Sequence, residues 1–205
     1  MERSLSLLTV VFDLGGVLVP PEGSIGDLAA ELDVGRVELA AAYWRARDEY
    51  DRGGSSTEFW TQVTDEVDRP VGAGGVARLD AVDAARWSIP GPGVESMLAD
   101  VTRTRTRLAV LSNAPASLAA TVRSAPWSSA FSTLMFSSDV GVMKPEPAIY
   151  ALADDRIGAA DDGVLFFDDR RANVEAARRH GWRAHLWTDL ADARRVLLAA
   201  GAIGE

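Results

Sequence analysis

The stretch Leu8-Thr9-Val10-Val11-Phe12-Asp13-Leu14-Gly15-Gly16-Val17-Leu18 decides both the fold and the candidate chemistry of this chain. Its apolar, largely β-branched beginning is typical of a buried parallel strand, and Asp13 follows where that strand ends. Open α/β sheets bind their ligands at the carboxyl ends of their strands. Gly15 and Gly16 allow a sharp turn and a close approach of a ligand to the backbone. Asp13 is therefore a candidate catalytic residue, although an aspartate before glycine can also be only a turn residue.

The composition limits the size of the protein and its partners. The 205 residues, 47% of them hydrophobic and 25% charged, suit one domain, or a core domain with a small insertion. The net charge of −9 argues against nucleic acid as a partner, because such binding depends on neutralising phosphates with Lys and Arg. No stretch reaches the ~18 apolar residues of a membrane span, so we expect no membrane partner. The sequence leaves the oligomeric state open.

Several catalytic classes are excluded by residues that the sequence lacks. It contains no cysteine, which excludes disulfides, thiolate nucleophiles and cysteine-based metal sites. The two histidines, His180 and His185, fit no zinc-binding spacing, and no serine lies in a G-x-S-x-G motif. We interpret both histidines as structural residues. Residues 1–8 run directly into the first strand without a leader sequence, so we expect a cytoplasmic protein.

A helical insert follows the first strand. Between Ile25 and Trp87 there is no strand-like run, and the apolar spacing predicts three or four short helices separated by glycine- and proline-containing breaks. Thr57 is the predicted cap of the helix that carries Phe59, with Ser55 and Ser56 as alternatives. We expect residues 20–89 to form a small cap domain.

From Pro90 onward, strands and helices alternate. The predicted strands are 108–111, 133–136, 164–167 and 184–187, and the predicted helices are 94–101, 116–123, 147–153, 173–180 and 191–198. This alternation predicts an α/β fold, a doubly wound, Rossmann-like and mostly parallel sheet. Its core domain would comprise residues 1–19 and 90–205.

Polar residues follow three of the predicted strands: Asp13, the pair Ser112-Asn113, and the pair Asp168-Asp169. The carboxyl ends of parallel strands meet at one edge of the sheet, so we expect these groups, with Lys144 from a nearby loop, to converge. Two adjacent carboxylates repel each other unless a cation lies between them. Oxygen ligands without His or Cys favour Mg²⁺.

These residues resemble the motifs of the haloacid dehalogenase superfamily, in the branch (subfamily IA-like) with a helical C1 cap after the first strand. The four motifs occur in order: Phe12-Asp13-Leu14-Gly15-Gly16-Val17-Leu18, Leu111-Ser112-Asn113, Lys144-Pro145-Glu146-Pro147 with Tyr150, and Phe166-Phe167-Asp168-Asp169 with Asn173. The resemblance covers essentially the whole chain, and the first motif is similar to that of sugar-phosphate phosphatases.

The resemblance implies a magnesium-dependent phosphatase that acts on a small phosphorylated metabolite, such as a sugar phosphate, through an aspartyl-phosphate. By this resemblance Asp13 and Lys144 are catalytic, and the phosphate is bound by Ser112, Asn113, Lys144 and Gly16. The implied ligands of Mg²⁺ are the carboxylate of Asp13, the backbone carbonyl of Gly15, Asp168 and Asp169. The implied role of Asn173 is to orient the acidic pair. Trp44, Arg45 and Asp48 of the cap are possible substrate contacts.

The sequence departs from the family pattern at Gly15, where most of these phosphatases have an aspartate that acts as general acid and base. Such a group contributes ~10²–10⁴-fold to the rate. Either the substrate has a stabilised leaving oxygen, as in a sugar 1-phosphate or an aryl phosphate, or a cap carboxylate (Asp48, Glu49 or Asp51) replaces the missing group. Two further alternatives remain: a non-catalytic phosphate-binding protein, and a 2-haloacid dehalogenase, against which the acidic pair argues because that chemistry requires no metal.

Overall fold

The computed structural model describes residues 8–20, 24–158 and 163–204, so the N-terminal residues in which we expected no leader lie mostly outside it. The strands are β1 (Thr9–Phe12), β2 (Arg107–Ser112), β3 (Thr133–Phe136), β4 (Val164–Asp168) and β5 (Arg183–Leu186). They form one parallel sheet in the order β3-β2-β1-β4-β5. The predicted α/β, Rossmann-like fold is confirmed.

The helices of the described residues lie in two groups. The first lies between β1 and β2 and comprises α1 (Ile25–Leu32), α2 (Arg36–Asp51), α3 (Ser56–Glu66) and α4 (Ala73–Arg86). The second comprises α5 (Val94–Thr102), α6 (Ala116–Ser124), α7 (Pro147–Ile157), α8 (Arg171–His180) and α9 (Leu190–Ala199). None of these helices is both long and apolar enough to cross a membrane.

Alternate residues of β1 are buried on opposite faces of the sheet, as the two-residue period of a strand requires. Val10 and Phe12 belong to an apolar cluster with residues of α5, α6 and α9, whereas Val11 belongs to a second cluster with residues of α7 and α8. Both faces are therefore covered by helices. This explains the continuous apolar run at the start of the sequence.

The four helices of the insert have an apolar cluster of their own, which includes Leu28, Leu39, Tyr43, Trp60 and Val63. This cluster is consistent with a separate cap of residues 20–89 beside a core of residues 1–19 and 90–205, and that division remains a prediction. The number of helices agrees with the sequence, but the predicted cap residue Thr57 is wrong. The Ser55 hydroxyl caps α3 instead, accepting hydrogen bonds from the backbone N–H groups of Thr57 and Glu58 at 3.2 and 3.4 Å.

The last turn of α2 is hydrogen-bonded to residues of α6 and of the segments that follow β2 and β3. The hydroxyl of Tyr50 lies 3.0 Å from that of Ser117. The hydroxyl of Ser137 donates to the backbone carbonyl of Asp51 and accepts from the backbone N–H of Ala114 at 2.9 Å. These contacts fix one end of α2 beside the carboxyl end of β2.

The final strand differs slightly from the prediction, because β5 ends at Leu186 and Trp187 lies beyond it. His180 and His185 each contact a neighbouring carboxylate, Asp154 and Asp192 respectively, at 2.6 Å. These contacts agree with a structural role of the two histidines.

Candidate active site

The carboxyl ends of β1, β2 and β4 bring the predicted residues together at one edge of the sheet. In the parallel register Phe12 is paired with Val110 of β2 and Phe167 of β4, so the residues that follow these strands are neighbours. A cavity of about 460 Å³ lies between this edge and the insert. The predicted residues that line it are Asp13, Gly15, Gly16, Trp44, Asp48, Ser112, Asn113, Lys144, Asp169 and Asn173.

Two predicted residues do not line the cavity. Asp168 is completely buried below it, where it contacts Lys144 and Asn173. Arg45 is exposed on α2 and forms an ion pair with Glu66 of the insert, away from the cavity. The geometry therefore gives no support to the predicted substrate contact of Arg45.

Lys144, the only lysine in the sequence, joins two of the carboxylates. Its side chain is 1% exposed, and its Nζ lies 2.9 Å from Oδ1 of Asp13 and 2.7 Å from Oδ2 of Asp168. Burial alone would lower the pKa of Lys144, but the two carboxylates outweigh it and hold the pKa above its ordinary value. Lys144 is therefore a fixed positive charge beside the candidate nucleophile.

Asn113 positions the backbone of Lys144. Its side-chain oxygen accepts from the Lys144 N–H at 2.8 Å, and its side-chain nitrogen donates to the Lys144 carbonyl at 2.8 Å. Both polar atoms of the amide are thus engaged with protein. The predicted contact of the Asn113 side chain with phosphate remains a prediction that this geometry does not favour.

The acidic residues form a cluster suited to a metal ion. Asp13, Asp168 and Asp169 each offer one carboxylate oxygen, and these oxygens lie within 4.8 Å of one another. Burial raises the pKa of Asp168 to about 6, and the neighbouring Asp13 charge adds to this effect while Lys144 opposes it. Burial, followed by the charge of Asp13, also raises the pKa of Asp169. The residues fit a hard divalent cation such as Mg²⁺, because it would relieve this repulsion with oxygen ligands only.

Two further residues shape the cluster. The side-chain nitrogen of Asn173 lies 3.0 and 3.1 Å from the two oxygens of Asp168, as expected of a residue that orients it. Gly16 has a φ of 77°, and a Cβ at this position would overlap the carboxylate of Asp169. Only glycine therefore allows this turn and this carboxylate to coexist.

The side of Gly15 is filled by Trp87, which the sequence did not indicate as a site residue. A Cβ on Gly15 would lie 3.2 Å from the Trp87 ring. Trp87 is 7% exposed, and its indole N–H donates to the hydroxyl of Tyr43 at 3.2 Å. The Trp87 ring therefore occupies the space next to Gly15 that an acidic side chain at this position would need.

One stripe of α2 forms the wall of the cavity opposite the sheet. Trp44, Arg47, Asp48 and Asp51, spaced as i, i+3, i+4 and i+7 on one helical face, all line it. Glu49 does not line the cavity, so the cap carboxylates that remain as candidates for a proton donor are Asp48 and Asp51.

Arg47 is buried between two carboxylates. Its Nε lies 2.7 Å from Asp51, and its terminal nitrogen lies 3.4 Å from Asp83 of α4. Burial opposes the charge, but the two aspartates keep the pKa of Arg47 above its ordinary value. Burial also raises the pKa values of Asp51 and Asp83, against the effect of Arg47. Asp83 was missed in the sequence, although it occupies an apolar-spaced position four residues after Leu79.

Comparison with known proteins identifies the class. The family described as haloacid dehalogenase-like hydrolase matches residues 7–181, and the chain therefore belongs to this family. A phosphatase of Mycobacterium tuberculosis is 29% identical over 89% of this chain and 88% of its own length. The (S)-2-haloacid dehalogenase of Xanthobacter autotrophicus is 28% identical over 84% of this chain and 72% of its own.

Other curated relatives are covered only in part. The chain spans 53% of a phosphorylated carbohydrates phosphatase of Thermotoga maritima, at 31% identity over 55% of this chain. A match with the bifunctional epoxide hydrolase 2 of Rattus norvegicus is 40% identical over 33% of this chain and spans only 12% of that protein.

Solved structures confirm the fold. An L-2-haloacid dehalogenase from Xanthobacter autotrophicus, with chloropropionic acid covalently bound, has a TM-score of 0.71 at 23% identity, over 97% of this chain and 85% of its own. A haloacid dehalogenase family enzyme from Bacteroides thetaiotaomicron, in complex with magnesium and inorganic phosphate, has a TM-score of 0.69 at 18% identity, over 91% and 98% of the two chains.

Proposed function

We propose that this chain is a magnesium-dependent phosphomonoesterase that hydrolyses a small phosphorylated metabolite through an aspartyl-phosphate on Asp13. The observation that carries the proposal is the arrangement of Asp13, Lys144 and the Asp168-Asp169 pair around one cavity. The phosphatase relatives from Mycobacterium tuberculosis and Thermotoga maritima support the reaction, and the second supports a sugar phosphate as the substrate.

The hydrogen bonds of Asp13 support Oδ2 as its attacking oxygen. Oδ1 accepts from the Leu14 N–H at 2.6 Å and pairs with Lys144 at 2.9 Å. Oδ2 has no hydrogen bond within the described residues, so its lone pairs are available for attack on phosphorus. Oδ2 bonds to phosphorus as the bond to the leaving oxygen breaks, and water then cleaves the acyl phosphate to restore Asp13 and release inorganic phosphate.

The remaining residues stabilise the charge that moves during transfer. Ser112, at the end of β2, lines the cavity, and its hydroxyl would donate to a phosphoryl oxygen. Lys144 contributes a positive charge that cannot move away, since it is held by two carboxylates. Mg²⁺ bound by Asp13, Asp168, Asp169 and the Gly15 carbonyl would neutralise charge on the transferring group.

The proposal is tested by measuring phosphate release from p-nitrophenyl phosphate with Mg²⁺, with EDTA, and with the Asp13→Asn variant. We expect activity with Mg²⁺ and its loss under both other conditions. Activity that survives EDTA would contradict the metal role, and activity that survives in Asp13→Asn would contradict the nucleophile.

The dehalogenase relative supports a second candidate, because its similarity extends over 84% of this chain. In a dehalogenase Asp13 would attack carbon and release halide. Halide release from 2-chloropropionate, measured on the same preparation, separates the two reactions. We expect none, because the buried charge of Arg47 is already paired with Asp51 and Asp83 and does not offer a free site for the substrate carboxylate.

A further inference from the structure

The outer wall of the cavity comprises five residues: Trp44, Arg47, Asp48 and Asp51 of α2, together with Trp87. By the proposed function this wall would face the leaving group of the substrate. We propose that this wall selects phosphate esters whose leaving alcohol carries a protonated amine. The inference rests on the proposed function and specifies its substrate class.

The one cation among the described residues of this wall, Arg47, is not available to hold an anionic leaving group. Arg47 is 5% exposed, and its guanidinium is engaged by Asp51 and Asp83 and lies 5.1 Å from the centre of the Tyr43 ring. Its charge is therefore neutralised by carboxylates within the insert. Even with one of the two buried aspartates protonated, Asp48 leaves this wall negatively charged.

The other cations that line the cavity, among the described residues, are Lys144 and Arg170. Lys144 is held between Asp13 and Asp168, where the phosphoryl group would react. Arg170 follows the acidic pair directly in the sequence and also lines the cavity. Lys144 and the implied Mg²⁺ would thus supply positive charge beside the phosphate, whereas Asp48 supplies negative charge on the α2 side of the cavity.

Asp48 offers an available carboxylate. It is exposed to the cavity and forms no ion pair or hydrogen bond through its side chain among the described residues. A partly desolvated cavity strengthens the attraction between such a carboxylate and an ammonium group.

Trp44 adds an aromatic surface next to this carboxylate. It lies one turn before Asp48 on the same face of α2, is 51% exposed, and meets Trp87 edge to face at 6.2 Å. The face of an indole attracts cations because of its electron-rich π-system. A carboxylate beside an exposed indole is a combination that favours ammonium over hydroxyl or carboxylate.

The test compares three sugar phosphates. Glucosamine 1-phosphate carries an amine on its sugar, glucose 1-phosphate carries only hydroxyls, and glucuronate 1-phosphate carries a carboxylate. We expect kcat/KM to fall in that order, with about a fivefold advantage of the amine over the hydroxyl, as one ion pair and one cation–π contact allow. The advantage should shrink as salt is raised.

Two variants locate the effect. Asp48→Asn should lower the ratio of kcat/KM for glucosamine 1-phosphate to that for glucose 1-phosphate by about fivefold, whatever its effect on the rate of each substrate. Glu49→Gln, on the same helix but outside the cavity, should leave the preference intact. A preference for glucuronate 1-phosphate, or one for glucosamine 1-phosphate that survives Asp48→Asn, would overturn the inference. Hydrolysis of p-nitrophenyl phosphate in the same preparation separates these outcomes from failure of the proposed function.

Discussion

At the scale of single residues, Lys144 determines the electrostatics of the site. A cation enclosed by two carboxylates balances charges that would otherwise repel each other in a buried environment. Because all other basic side chains of the sequence are arginine or histidine, the state of this one group can be observed directly.

The first prediction concerns the pKa of Lys144. The protein labelled with isotopic lysine should show one side-chain lysine signal, and this signal should remain that of the ammonium form above pH 10.5, the ordinary pKa. The pKa of Lys144 is higher in the folded protein than in the unfolded chain. Its ion pairs therefore stabilise the fold fully below pH 10.5, and this stabilisation is lost as the pH rises through the folded-state pKa. A signal that titrates below pH 10.5 in the folded protein would contradict the ion pairs.

The second prediction concerns removal of the charge. Lys144→Met should lower the free energy of unfolding by ~3–5 kcal/mol, because Asp13 and Asp168 are left buried without their cation. Urea unfolding at neutral pH measures this loss. As a matched control, Arg103→Met removes an exposed cation paired with Asp100 and should change the free energy by less than ~1 kcal/mol. Equal losses in the two variants would show that Lys144 is not in the predicted environment.

At the scale of elements, α2 connects the insert to the sheet edge formed by the carboxyl ends of β1, β2 and β4. One face of the helix places Leu39, Tyr43 and Tyr50 in the apolar cluster of the insert, while the adjacent stripe lines the cavity. Its last turn is fastened beside β2 through Ser137. The stripe therefore keeps its position relative to Asp13 through fixed contacts at one end.

The third prediction compares two neighbouring serines to test whether the Ser137 hydrogen bonds hold the last turn of α2 in place. The hydroxyl of Ser137 is completely buried and bridges Asp51 and Ala114, so Ser137→Ala should cost ~1–3 kcal/mol of stability. The buried hydroxyl of Ser138 has no hydrogen-bond partner within the described residues, so Ser138→Ala should be nearly neutral. Urea unfolding of both variants gives the comparison, and similar losses would mean that the bridge does not hold α2.

At the scale of the whole molecule, the parallel sheet determines what the sequence could reveal. Strand ends are recognisable because Asp13, Ser112 and Asp168 each follow an apolar run, and parallel strands place such residues together. The fold and the grouping of these residues at one edge of the sheet could therefore be predicted. The contacts around the cavity could not be predicted, because Trp87 lies beside Gly15, and Asp83 beside Arg47, only through the tertiary packing of the insert. Arg45 lies outside the cavity although Trp44 lines it, because adjacent positions on a helix point in different directions.

The fourth prediction concerns stabilisation by metal. Mg²⁺ should raise the temperature of thermal unfolding, because a ligand at 100 times its Kd adds ~2.7 kcal/mol to the folded state. Asp169→Asn should abolish this shift, since it removes one oxygen ligand that is exposed to the cavity and leaves the buried ion pairs in place. Asp155→Asn, on α7 and outside the cluster, should retain it. A shift that persists in Asp169→Asn would place the metal elsewhere.

The central claim is that Asp13 itself receives the phosphoryl group. The direct measurement is the mass of the peptide that contains Asp13 after the enzyme, turning over p-nitrophenyl phosphate with Mg²⁺, is quenched in acid. We predict a fraction of this peptide heavier by one phosphoryl group, and none in Asp13→Asn. An unmodified Asp13 peptide during sustained turnover, together with a phosphorylated residue elsewhere, would contradict the account.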